Sequence, residues 1–135
     1  MLTKEITYTD YNGNERTEKF YFNLNEAELS EMEFSTVGGL TEYVQRIAAA
    51  QDTPAIIAVF KELILKSYGE KSLDGRHFVK ENGKRAAAFA ETEAYSVLFM
   101  ELATDQEKAA EFFNGIVPKP KAEQANNVMP MPTNN

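Results

Sequence analysis

The stretch that decides the fold is Thr3–Leu24, TKEITYTDYNGNERTEKFYFNL. Ile6 and Tyr8 alternate with Thr7 and Thr9, and beyond a polar break Phe20, Phe22 and Leu24 alternate with Lys19 and Tyr21. A period of two is that of a half-buried strand. Asn12-Gly13 lies between the two runs, and this dipeptide tolerates the positive φ that tight hairpin turns demand. The pattern predicts a β-hairpin over 3–24. A lone hairpin is marginal in water, so its aromatic face needs helices to pack on.

Helical signals follow directly. Asn25 with Glu28 three residues on reads as a capping box, with Leu29 and Met32 facing inward. Leu40, Tyr43, Val44, Ile47 and Ala48 form one apolar stripe behind Gly38-Gly39, read as a flexible joint. Thr53-Pro54 reads as N-cap and first helical residue. It opens a segment in which Ile56, Ile57, Val59, Phe60, Leu63, Ile64 and Leu65 cover most of the circumference, as expected of a central helix ended by Gly69. Residues 70–83 read as a polar connector with a turn at Asp74-Gly75, where Leu73, Phe78 and Val79 tuck down. A further helix is expected from about Arg85 through Phe89 into residues 92–104. Thr104 with Glu107 predicts a capped boundary before a last helix, whose stripe is Ala109, Phe112, Phe113 and Ile116.

The fold class is therefore α+β, an N-terminal β-hairpin packed on a mainly α-helical domain. The expected organisation is one domain over 1–118 (hairpin 3–24, helices 25–118), then a disordered Pro/Asn-rich tail over 119–135, KPKAEQANNVMPMPTNN.

Composition narrows the function. Hydrophobic residues make up 43% of the 135, enough for a globular core. The net charge is -7, and the acid is concentrated in residues 1–35, with 8 Asp+Glu against 3 Lys+Arg. Such a chain repels phosphate backbones, so nucleic acid is not an expected partner. The absence of cysteine excludes disulfides and thiolate metal sites. MLTKEITYTD has no apolar core of a secretory signal, and no stretch reaches the roughly 18 apolar residues of a membrane span.

The chemistry-bearing residues are sparse. His77 is the single histidine, and a general base needs a nucleophile or carboxylate placed beside it. Glu26, Glu28, Glu31 and Glu33 fall around a helix instead of at calcium-loop spacing, and read as a solvated acidic face. Gly38-Gly39 lacks the Lys-Ser/Thr of a phosphate loop. No catalytic residue, metal site or cofactor is expected. Lys71, Arg76, Lys80, Lys84 and Arg85, interleaved with Asp74 and Glu81, are either a contact patch for an acidic partner or a solvated set.

Two segments, YTDYNGNERTEKFYFNLNEAELSEME and FAETEAYSVLFMELATDQEKAAEFFNGIVP, resemble the tail assembly chaperones of long-tailed bacteriophages of Gram-positive hosts. The resemblance spans roughly residues 5–118 and includes FYFNL running into EAEL, and EAYSVLF followed by FFNGIVP. It implies a non-enzymatic protein, made in the host bacterial cytoplasm during infection and missing from the mature virion. Such a protein binds the tape measure protein, keeps it soluble and promotes assembly of the tail tube protein around it. The resemblance further implies a longer ribosomal-frameshift product of the same gene as a partner, and homo-oligomers remain open. The alternatives are a structural minor tail or connector subunit, and a small host-directed regulatory protein.

Between residues 92 and 104, Tyr95, Leu98, Phe99 and Leu102 share one helical face, while Val97 and Met100 point roughly the other way. Val97 and Met100 are thus candidates for a client or oligomer surface, unless the helix is sandwiched and both belong to the core. Methionine suits adaptable binding.

Overall fold

The computed structural model describes residues 1–118. The tail expected to be disordered, 119–135, lies outside the described residues. The elements run β1 (Leu2–Thr9), β2 (Glu15–Phe22), α1 (Glu26–Ser35), α2 (Leu40–Ala49), α3 (Thr53–Ser67), β3 (Tyr68–Lys71), β4 (Phe78–Val79), a 3₁₀ turn (Glu81–Gly83), α4 (Lys84–Ala90), α5 (Glu93–Thr104) and α6 (Gln106–Ile116).

The hairpin forms where the alternation places it, with β1 and β2 antiparallel from Leu2↔Phe22 to Thr9↔Glu15. Its turn differs from a two-residue Asn-Gly turn. Of Asn12-Gly13 only Gly13 has positive φ, +85°. Asp10 N–H donates to Asn14 O at 2.8 Å, leaving a three-residue loop with a left-handed glycine at its end. Asp10 Oδ1 accepts from the amides of Asn12 and Asn14 at 2.9 Å each, and Arg16 Nε donates to Asp10 Oδ2 at 2.6 Å. The Arg16 guanidinium, then these amides, hold the Asp10 carboxyl below the usual carboxylate range.

The hairpin lies on the helices through its even-numbered residues. Ile6, Phe22 and Leu24 are buried. The Phe22 ring stands edge-on to Phe112, Tyr68 and Phe89, with centroids 5.4, 5.7 and 5.8 Å away. Leu24 N–H donates to Ile116 O at 2.8 Å, so the end of the hairpin is tied to the end of α6.

The sheet is larger than the hairpin. β3 pairs antiparallel with β2 and β4 with β3, giving four strands in the order β1-β2-β3-β4. The polar connector expected over 70–83 thus contributes sheet at both ends. Gly69 does not end a helix; it sits in β3, where an added Cβ would lie 2.6 Å from Phe78 Cε2. α3 stops two residues earlier at Ser67, whose buried hydroxyl donates to Leu63 O at 2.6 Å. The Asp74-Gly75 turn is present, with Asp74 Oδ1 accepting from Arg76 N–H at 3.0 Å. Leu73 does not tuck down but is fully exposed, whereas Phe78 and Val79 are half-buried.

Several caps move by one residue. The Asn25–Glu28 capping box is complete. Asp52, not Thr53, caps α3 by accepting from Ala55 N–H at 3.2 Å. Asp105, not Thr104, caps α6 by accepting from Glu107 and Lys108 N–H at 3.0 and 3.1 Å. A carboxylate gains from the helix dipole as well as from these amides, which favours it over the adjacent threonine. The helix expected to run from about Arg85 into residues 92–104 is broken after Ala90, and Thr92 caps a separate α5. The Gly38-Gly39 joint is clamped: both glycines have positive φ, and Glu33 Oε1 accepts from Leu40 and Thr41 N–H at 2.8 and 3.1 Å.

Candidate functional site

Besides Phe34 and Val37 at the end of α1, which are 91% and 90% exposed, the helical layer leaves two apolar surfaces open. The first is the outer face of α5. Ala94, Leu98 and Leu102 of that helix are buried, and Tyr95 and Phe99 are half-buried, their rings 5.9 Å apart. At about 100° per residue the opposite side falls on Met100, with Val97 beside it. Met100 is 53% and Val97 42% exposed. The α5 backbone runs alongside β1, and Lys4 Nζ reaches Glu101 Oε1 at 2.8 Å.

The second is a groove of about 660 Å³ between α2 and α6, with α3 packed against both. Most of its lining follows one helical pattern on three helices, with Ile47, Gln51 and Asn114 outside that pattern. α2 contributes Thr41, Val44, Gln45 and Ala48, at i, i+3, i+4 and i+7. α3 contributes Thr53, Ile56, Ile57 and Phe60, and α6 contributes Gln106, Ala109, Ala110 and Phe113, each with the same spacing. Leu102 and Ala103 from the end of α5 close one side. Every stripe runs over two turns, roughly 10 Å at 1.5 Å per residue. α3 is therefore not enclosed on all sides: Ile57 is 40% exposed and opens into the groove. No lining residue is ionisable, although 26% of the chain is Asp, Glu, Lys or Arg.

A family model described as phage tail assembly chaperone matches residues 1–133. The chain belongs to the phage tail assembly chaperones. No curated protein and no solved structure matches it. The family points to phage tail proteins as partners of this chaperone.

The basic residues of the chaperone do not converge on one contact surface. Lys80 is turned inward: its Nζ donates to Asn23 O, Lys66 O and Glu28 Oε2, each at 2.8 Å. It thereby joins the chain leaving β2, the end of α3 and the start of α1. Arg85 pairs with Glu70 and Glu81, which neutralises it locally. Lys71 lies over the Tyr21 ring at 5.8 Å from the centroid. Only Arg76 and Lys84 of the five are exposed with no side-chain ion pair or ring contact among the described residues.

His77 is exposed, and its backbone pairs with Ser72; its imidazole has no partner among the described residues. Among the described residues no group of three or more His, Cys, Asp or Glu is placed to hold a metal ion. Two members of the Glu-rich α1 have structural work instead, Glu28 in the capping box and Glu33 across the glycine joint. Burial, then the neighbouring Glu70, push the Tyr68 phenol up to about 12. No described helix is long and apolar enough to cross a membrane.

The exposure of Val97 and Met100 on α5 is legible in the sequence, whereas the groove is not. Each stripe of the groove reads as core when its helix is taken alone, because its apolar positions repeat at 3.6. The available signal was the unusual flanks: Gln45, Gln51, Gln106 and Asn114 stand where surface helices usually carry Lys or Glu.

Proposed function

We propose that this tail assembly chaperone binds the tape measure protein, keeps it soluble and promotes polymerisation of the tail tube protein around it. The observation that carries the reading is an open apolar groove, free of ionisable side chains, on a protein of net charge -7. Apolar surface left open on a soluble protein marks a binding site. Net negative charge keeps a chaperone dispersed while it holds an aggregating client. A long, helical, apolar client suits helix-in-groove recognition. The role is binding, not catalysis.

On this reading the protein works in the host bacterial cytoplasm during infection and is left out of the mature virion. A longer frameshift product of the same gene is a partner, sharing the fold over 1–118 and differing beyond it. Val97 and Met100, exposed on the outer face of α5, serve contact with another copy of the chain. Mass spectrometry of purified virions tests the assignment against a structural tail subunit. A chaperone is missing from the particles; stoichiometric recovery with the tail proteins contradicts the proposal.

A further inference from the structure

The geometry points to the α2/α3/α6 groove as the seat of a client helix of two to three turns whose buried face carries no charge. The inference rests on the chaperone reading above and names both the site and the kind of segment it takes. Three observations support it.

The first is shape. α2, α3 and α6 each offer an i, i+3, i+4, i+7 stripe. That spacing interlocks with the ridges of another helix rather than with an extended peptide. The volume of about 660 Å³ accommodates the few anchor side chains that such a helix inserts.

The second is charge. A basic or acidic segment would leave an ionised group desolvated against Ile56, Ile57 and Ala109 with no counter-ion among the lining residues. Burying an unpaired charge is heavily penalised, so the groove rejects charged seams of either sign.

The third is the rim. Gln45, Gln51, Gln106 and Asn114 are exposed, and their side-chain amides have no hydrogen bond among the described residues. An amide both donates and accepts, so it pairs with Ser, Thr, Asn or Gln flanking an apolar seam. Gln51 holds its place at a cost: its φ is +53°, at the left-handed position after α2 where glycine is relaxed.

The test uses the full chain and overlapping peptides of about 20 residues tiled across the tape measure protein, the length at which isolated helices begin to hold. Binding is read by fluorescence anisotropy. Ala48→Glu and Ala110→Glu put a carboxylate on the two walls at exposed helical positions, and Val97→Asp puts one on the outer face of α5. Peptides with an uncharged helical seam are expected to bind the wild-type chain and to lose about tenfold or more in both groove variants. They keep their affinity within about twofold in Val97→Asp, and within about twofold between roughly 0.05 and 1 M salt.

Loss in Val97→Asp with retention in both groove variants places the seat on α5 and overturns the inference. So does affinity that falls steeply with salt, which marks a charged occupant. A wild-type chain that self-associates while Ala48→Glu and Ala110→Glu are monomeric puts a second copy in the groove, and overturns it as well. Should one groove variant unfold by circular dichroism, the other carries the comparison. Intact tape measure protein separates the two levels of the argument. If the wild-type chain does not retain it, the chaperone reading fails. If wild type and both groove variants retain it equally, that reading stands and the groove assignment falls.

Discussion

Lys80 Nζ donates to Glu28 Oε2 at 2.8 Å across 52 positions of sequence, with the Lys80 side chain only 19% exposed. The same ammonium donates to the carbonyls of Asn23 and Lys66. A lysine that reads as part of a basic surface patch is therefore an internal bracket between the sheet and two helices.

Lys80→Met keeps the aliphatic stem and removes all three hydrogen bonds, leaving a carboxylate and two carbonyls short of a donor. The expected loss is about 2 kcal/mol, since hydrogen bonds to charged groups contribute roughly 1.5–3 kcal/mol each and water reaches part of this site. Urea unfolding followed by far-UV circular dichroism measures it. An unchanged midpoint would mean that the ammonium is solvated and the bracket idle.

Val97→Asp separates open surface from core on α5. Val97 is 42% exposed, whereas Leu98, one residue on, is 1% exposed. Val97→Asp is expected to change stability by less than about 1 kcal/mol, as exposed substitutions do. Leu98→Asp buries an unpaired charge and is expected to unfold the chain. The pair of urea curves checks both, and equal damage from the two would place Val97 inside.

Gln51 occupies a left-handed position with φ of +53°. Gln51→Gly relieves that strain, offset in part by the greater freedom of glycine in the unfolded chain, for a net gain of about 0.5–1 kcal/mol. A thermal midpoint that rises confirms the strain; one that falls shows that the Gln51 side chain stabilises the α2–α3 turn.

Tyr68 gives the fold an alkaline limit. Its phenol is pushed from 10.0 to about 12, first by burial and then by Glu70. The folded state thus binds this proton more tightly than the unfolded state does. The resulting stability is complete below pH 10.0 and disappears as pH rises through about 12. The urea midpoint of the wild-type chain should fall between about pH 9 and pH 11.5 by more than that of Tyr68→Phe, which has no phenol to ionise. Parallel declines would assign the alkaline sensitivity to other groups.

Much of this architecture is legible in the residues because local and tertiary preferences agree. The hairpin announces itself through Ile6/Tyr8 and Phe20/Phe22, whose period of two coincides with the buried face the helices need. α1 is fixed by the Asn25–Glu28 box. β3 and β4 carry no such mark. Strands of four and two residues are too short to show alternation; β3 exists because Tyr21 and Phe22 of β2 offer it an edge, and β4 because β3 offers the next one. The break between α4 and α5 was hidden because Phe89 and Tyr95 keep the apolar character continuous across it; their rings meet at 5.9 Å. The groove was illegible for a different reason. Its walls come from residues 41–60 and 102–114, and only the folded chain shows that stripes which look like core fail to close on one another.

The central claim is that this chain keeps the tape measure protein in solution, and the soluble fraction of that client measures it most directly. The tape measure protein is expressed alone and together with the full chain, and the supernatant and pellet are compared after centrifugation. The account predicts a client that is largely in the pellet alone, moves to the supernatant on co-expression, and is recovered there bound to the chain. A client equally insoluble with and without the chain, and not co-purifying with it, would contradict the account.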